Sequence, residues 1–288
     1  MSNVWVEGAR PKTLSAAILP VFLGTAAAFN ESFSILPAVL ALIVAFALQI
    51  GVNYANDYSD GIKGSDGESR SGPARLVGSG LVPPEKVLRA AIFMFTLSAA
   101  SGLWLSLIST LWLIPIGMVC ISAAWFYTGG SAPYGYKALG EVSVFIFFGL
   151  VGTNGSFFVQ VERFSLLAFI LSCIAGLLSC GLMMINNLRD YQNDSAVGKQ
   201  TLIVLLGENM SKKLFSVIIS TSLLLGVLVS FWHLWALIVL ASVPLVFKIL
   251  KIVNEAKDSK TWARALRQMG ILQILVAALL SASLVITG

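Results

Sequence analysis

Residues 35–60 read ILPAVLALIVAFALQIGVNYANDYSD, an unbroken apolar run that closes on an acidic, amide-rich end. A run of roughly 20 such residues is long enough to cross a bilayer as a helix. Its closing residues are Asn53-Tyr54-Ala55-Asn56-Asp57-Tyr58-Ser59-Asp60, with Gly64 and Asp66 beyond. A second long run ends in the same manner, at Asn186-Asn187-Leu188-Arg189-Asp190-Tyr191-Gln192-Asn193-Asp194. Carboxylates at the edge of a bilayer are costly, and where they occur they usually serve a function.

The rest of the chain has the same character. It holds 288 residues, 57% hydrophobic and 11% charged, where soluble domains carry about 25% charged residues. Mean hydropathy is +0.86. Nine apolar stretches are candidate spans: 13–30, 35–54, 88–108, 111–128, 139–160, 164–186, 213–231, 233–251 and 269–287. They use nearly the whole length, so the expectation is one all-α, polytopic membrane domain over 1–288 with nine transmembrane helices. The first stretch follows Arg10 and Lys12 and ends near three alanines, as a signal peptide would. The eight spans behind it favour an integral first helix. Cys120, Cys173 and Cys180 all lie inside apolar runs and read as packing residues, and His233 sits alone in a short hairpin. Histidine or cysteine metal chemistry is thereby disfavoured.

Basic residues set the orientation. With nine spans and an inner N-terminus, 18 of the 19 Lys and Arg fall on inner segments or inner helix ends, Arg163 being the exception. Positive charge gathers on the cytoplasmic side. The N-terminus and both aspartate clusters are therefore expected at the cytoplasmic face of the cell membrane, with the C-terminus outside. This topology also accounts for the net charge of +5, which gives no sign of nucleic-acid binding. The loops behind the two clusters are long, and long loops in compact proteins are often functional.

If each helix runs through its cluster, Asn53, Asp57 and Asp60 share a face, as do Asn187, Asp190 and Asp194. Two helices then present two carboxylates each toward one cavity. Mg²⁺ takes oxygen ligands and commonly joins one or two carboxylates to substrate phosphates. Bare carboxylates would repel an anionic diphosphate, and the cation removes that conflict. Arg70, Arg75, Lys137, Arg189 and Lys199 add donors for phosphate oxygens. Together they can stabilise a leaving diphosphate. Departure of diphosphate from an allylic chain leaves a carbocation, which an intramembrane cavity shields from water and aromatic faces can stabilise, Tyr134 among the candidates. No P-loop, Gly-x-Ser-x-Gly or His-Glu-x-x-His pattern competes. A secondary transporter is the rival of another class, but transporter sites lie near the bilayer midplane, whereas both clusters lie at its inner boundary.

The two clusters and the loops behind them resemble the UbiA-type intramembrane prenyltransferases. That resemblance implies nine helices around a central cavity and two Asp-rich motifs that bind a diphosphate through Mg²⁺. The spelling is most similar to the branch whose acceptor is 1,4-dihydroxy-2-naphthoate. Four stretches carry it: Arg10-Pro11-Lys12-Thr13-Leu14; Asn56-Asp57-Tyr58-Ser59-Asp60 through Lys63-Gly64-Ser65-Asp66; Tyr127-Thr128-Gly129-Gly130 through Pro133-Tyr134-Gly135-Tyr136 and Leu139-Gly140-Glu141; and Asn186-Asn187-Leu188-Arg189-Asp190 through Gly198-Lys199-Gln200-Thr201-Leu202. Other branches place the last acid of the first motif where this chain has Gly64, so Asp66 stands as a possible further ligand. The resemblance implies metal binding by Asp57, Asp60, Asp190 and Asp194. It implies substrate contacts from Asn53, Asn56, Arg70, Arg75, Tyr134, Lys137, Asn187 and Lys199. The implied reaction joins a polyprenyl group from its diphosphate to dihydroxynaphthoate with loss of CO₂, forming demethylmenaquinone. A sibling enzyme using 4-hydroxybenzoate is the alternative.

Overall fold

A computed structural model describes residues 3–64 and 75–286, and every regular element among them is helical. A short helix α1 (Val4–Ala9) leads into α2 (Ser15–Ala28), followed by α3 (Ile35–Ile62), α4 (Pro84–Ile108), α5 (Leu113–Phe126), α6 (Gly140–Val161) and α7 (Leu166–Ala196). A one-turn helix α8 (Leu202–Leu206) precedes α9 (Glu208–Phe231), α10 (Leu234–Glu255) and α11 (Ser259–Ile286). Seven of these are long and apolar enough to cross a membrane, making this a multi-span membrane protein. Seven of the nine expected stretches correspond to these spans, and the other two depart from a straight full span. The first is bent by 51° between Val4–Thr13 and Ser15–Ala28. Arg10 stands at the break with φ +55°, and Pro11 follows it, which denies the preceding residue a helical conformation. The other is α5, with only 14 residues.

Helix α7 is the axis of the bundle. Two-thirds of its apolar window is buried (67%), against 28–44% in the other spanning helices. Leu171, Ile174, Leu178, Met184 and Ile185 on α7 pack with residues of α2, α9 and α11 in one core. The remaining helices keep broad apolar faces outward, as lipid-facing helices do. The hairpins at the end opposite the aspartates expose Trp112, Phe164, Phe231 and Trp235, and Arg163 pairs there with Glu31.

Close helix approach is built from small residues. A Cβ on Gly149 would lie 2.6 Å from the Gly176 Cα of α7, and one on Gly24 would run into the Thr153 carbonyl of α6. Helix–helix packing in membranes depends on such contacts, since lipid offers no hydrophobic drive between helices. Gly149 also lies in Phe145–Val151, where α6 widens into a π-helix. π segments are rare and are often found at functional sites. Gly24→Ala and Gly149→Ala should each destabilise the protein by about 1–3 kcal/mol through overpacking, despite the better helix propensity of alanine. Thermal unfolding in detergent checks this, and wild-type melting in both variants would contradict the interlocked packing.

Candidate active site

Helix α3 continues unbroken through its acidic end to Ile62, and α7 through its own to Ala196. Both clusters are therefore helical, and both border one cavity of about 570 Å³. Asn53, Asn56 and Asp60 line it from α3; Asn187, Asp190 and Asp194 line it from α7. Arg75, Tyr134 and Lys199 also reach the lining. The cavity is long: Ala41 and Asp60 both border it, and 19 residues of helix span roughly 28 Å. Away from the acids its wall is apolar, with Leu48, Leu105, Phe147 and Phe148 among the lining residues.

Each acid at the polar end has a protein partner. Arg189 forks onto Asp190, its Nε and one terminal NH₂ each 2.8 Å from a carboxylate oxygen. The Lys199 ammonium lies 3.8 Å from Asp194. The Tyr136 hydroxyl donates to Asp60 Oδ1 at 2.8 Å. Asn187 donates its amide to Glu141 Oε1 at 2.9 Å. Thr128 donates to Asn56 Oδ1 at 2.7 Å. Asn53 donates to the Ala9 carbonyl at 2.9 Å, tying α3 to the helix break at Arg10. Burial pushes the Tyr134 phenol upward in pKa, so it stays protonated, and its hydroxyl donates to the Ala123 carbonyl at 2.8 Å.

Two expected site residues lie elsewhere. Asp57 does not border the cavity. Its two oxygens accept from the backbone N–H groups of Leu76 and Val77 at 3.1 and 3.0 Å. The reason is rotational: neighbours on a helix are about 100° apart, so the face that turns Asn56 and Asp60 inward turns Asp57 away. Asp57 instead anchors the chain where it returns toward α4. Lys137 is exposed and outside the cavity lining, because its backbone pairs with Gln200. Asp66 and Arg70 lie outside the described residues. The sequence reading also assigned no role to Tyr136, Thr128 or Glu141. Tyr136 and Thr128 stand inside a quoted loop, but nothing local tells which side chain turns inward.

Among the described residues, no three His, Cys, Asp or Glu side chains form a ready metal cage. That is compatible with magnesium, which keeps waters and uses substrate phosphates as ligands rather than an all-protein cage. The two clusters bring Asp60, Asp190 and Asp194 to the cavity lining, and carboxylate oxygens suit a hard cation. The donor set fits.

A charged mouth opening into a long apolar channel defines a membrane protein shaped for an amphiphile. The comparisons agree with that class. The model of the UbiA prenyltransferase family matches residues 17–279, and the chain belongs to that family. It is 42% identical over 285 residues to the 1,4-dihydroxy-2-naphthoate octaprenyltransferase of Mycobacterium leprae, covering 99% of this chain and 97% of the relative. It is 37% identical over 267 residues to the Escherichia coli protein of the same name, covering 89% and 87%. Its fold is similar to that of a UbiA homolog from Archaeoglobus fulgidus solved with DMAPP and Mg²⁺, with a TM-score of 0.70 at 16% identity over 99% of this chain and 100% of that one.

The two first-motif aspartates should behave differently. Asp57→Asn turns an acceptor into a donor facing a backbone N–H and should cost about 1–3 kcal/mol of stability. Asp60→Asn should leave the melting temperature within a few degrees of wild type and act on ligand binding instead. Thermal unfolding of the two variants side by side checks the division. Equal melting of both would return Asp57 to the ligand set.

Proposed function

We propose that the chain transfers a polyprenyl group from polyprenyl diphosphate to 1,4-dihydroxy-2-naphthoate, with release of diphosphate and CO₂. The product is the demethylmenaquinone skeleton at the quinol level, a step of menaquinone biosynthesis. The observation that carries the reading is the single cavity joining both acidic clusters to a long apolar wall. The acceptor rests on the relatives that bear its name at 42% and 37% identity.

Magnesium would be held by Asp60, Asp190 and Asp194 with the amide oxygens beside them. When bound, it draws off the negative charge that develops on the departing diphosphate. Arg75, Arg189 and Lys199 lie where phosphate oxygens would be received, and Arg189 can exchange its fork on Asp190 for a phosphate oxygen. The donor's C–O bond breaks with its electron pair going to diphosphate. The electron-rich ring of the acceptor then attacks the allylic carbon and loses CO₂. The apolar wall near Phe147 and Phe148 holds the tail and keeps water from the cation. Among the described residues, no side chain at the polar end is placed as a dedicated base. Loss of the acceptor's carboxylate as CO₂ returns the electron pair to the ring, so the replacement needs no net removal of a proton. By the distribution of basic residues, the polar mouth faces the cytoplasm.

Membranes carrying the chain should prenylate dihydroxynaphthoate in preference to 4-hydroxybenzoate when both compete for one labelled polyprenyl diphosphate. Chelation of Mg²⁺ should abolish turnover, and Asp190→Asn should lower it by about 100-fold or more, the scale on which a lost electrostatic stabiliser acts. Preference for 4-hydroxybenzoate would overturn the acceptor. Turnover undiminished by chelation and by Asp190→Asn would overturn the metal site.

A further inference from the structure

Behind the polar mouth, Tyr136 and Lys63 pack against Asp60 and Lys199, and neither Tyr136 nor Lys63 has a role in the transfer itself. Tyr136 ends a one-turn 3₁₀ helix, Tyr134–Tyr136. The next residues are stitched to the loop that follows α7: the Ala138 N–H donates to the Gln200 carbonyl at 2.8 Å, and Lys137 pairs with Gln200. The Tyr136 hydroxyl donates to Asp60 Oδ1 at 2.8 Å. Its ring carries two ammonium groups, Lys199 Nζ at 5.0 Å and Lys63 Nζ at 5.5 Å from the centroid. Lys63 is further held by the Thr128 carbonyl at 2.7 Å. Asp60 and Lys199 border the cavity, whereas Tyr136 and Lys63 do not.

We infer that Tyr136 is a positioning residue of the donor site, which orients the Asp60 carboxylate and the Lys199 ammonium toward a magnesium diphosphate. The inference rests on the diphosphate reading of the cavity. The phenol engages Oδ1 of Asp60 and so restrains a carboxylate that borders the cavity, with Oδ2 not taken up by the phenol. A hydroxyl-to-carboxylate bond is charge-assisted, and it enriches the ring on which the cations rest. Lysine is a point charge on a flexible stem, so holding it in place beforehand lowers the cost of binding an anion. The ion pair of Lys199 with Asp194 is long, at 3.8 Å. The ring therefore supplies a second hold, which persists when the ammonium turns from Asp194 to a phosphate oxygen. One phenol thus links the acid of the first cluster to the cation of the second. Packing alone would not require the hydroxyl to meet Asp60.

The test uses the full chain purified in detergent, with inorganic pyrophosphate and Mg²⁺ as the probe and thermal stabilisation as the readout. Tyr136→Phe removes one oxygen and keeps the ring. It should leave the unliganded melting temperature within a few degrees of wild type and raise the Mg²⁺ needed for half-maximal stabilisation by about tenfold. Tyr136→Leu removes the ring as well and should further weaken pyrophosphate at saturating Mg²⁺ by about tenfold, the scale of a partly desolvated cation–π contact. A Tyr136→Phe titration within twofold of wild type overturns the role at Asp60, and Tyr136→Leu matching Tyr136→Phe overturns the role at Lys199. If wild type itself gains no stability from Mg²⁺ and pyrophosphate, the diphosphate reading falls and the inference with it.

Discussion

Everything at the polar end answers to one constraint: a buried carboxylate must have its charge met. Asp57, Asp60, Asp190 and Asp194 are each at most 7% exposed. In a low-dielectric surrounding an unmet charge costs several kcal/mol. The protein meets the four in four ways: two backbone N–H groups for Asp57, a phenol for Asp60, a guanidinium fork for Asp190 and an ammonium for Asp194. The differences carry meaning. Backbone donors fixed at a chain return cannot leave, so Asp57 is a structural anchor. Side-chain cations can change partner, so Asp190 and Asp194 stay available to a ligand.

The same constraint explains why the connecting loops matter as much as the helices. Arg75, Tyr136 and Lys199 come from three different inter-helix segments. Asp57 secures the first of these through Leu76 and Val77, and the pairing of residues 137 and 138 with Gln200 joins the other two. Rigid helices place the acids, and loops held by backbone bonds place the groups that balance them. A site so distributed is assembled only when all three segments are in register, which is the arrangement expected where catalysis depends on preorganised charge.

Much of this was legible in the sequence. The apolar runs gave the helices, because a membrane segment must satisfy its backbone internally. The spacing of Asn187, Asp190 and Asp194 gave their shared face, which the cavity bears out. In the first cluster, Asn53, Asn56 and Asp60 reach the cavity and Asp57 meets the backbone of residues 76 and 77. Asn53, Asp57 and Asp60 fit one face by spacing, yet the cavity lies on the side of Asn56, and only the return of residues 76 and 77 shows where Asp57 turns. At Tyr136 and Lys137 the difficulty is similar: the tyrosine meets Asp60 and the lysine is exposed. Which of two adjacent loop residues points inward is set by pairing with Gln200, far away in the chain. The π segment at Phe145–Val151 has no local signature either. It accompanies the close approach of Gly149 to Gly176, which is a property of two helices together.

A single cavity with a charged mouth and a dry length also resolves a chemical conflict. Ionising an allylic diphosphate needs strong local charge to receive the leaving group, whereas the cation left behind must meet neither water nor a carboxylate before its acceptor. Separate compartments would keep the two apart but could not act on adjacent atoms of one molecule. Along α3 the lining changes from Asp60 through Asn56 and Asn53 to Gln49, and then to Leu48, Ala45 and Val44. Charge gives way to neutral amides and then to hydrocarbon within about three turns of helix. Neutral amides neither attack the cation nor carry the charge that would draw water deeper. The graded helix face therefore allows one bound molecule to have its head in an ionic environment and its reactive carbon at the edge of an apolar one.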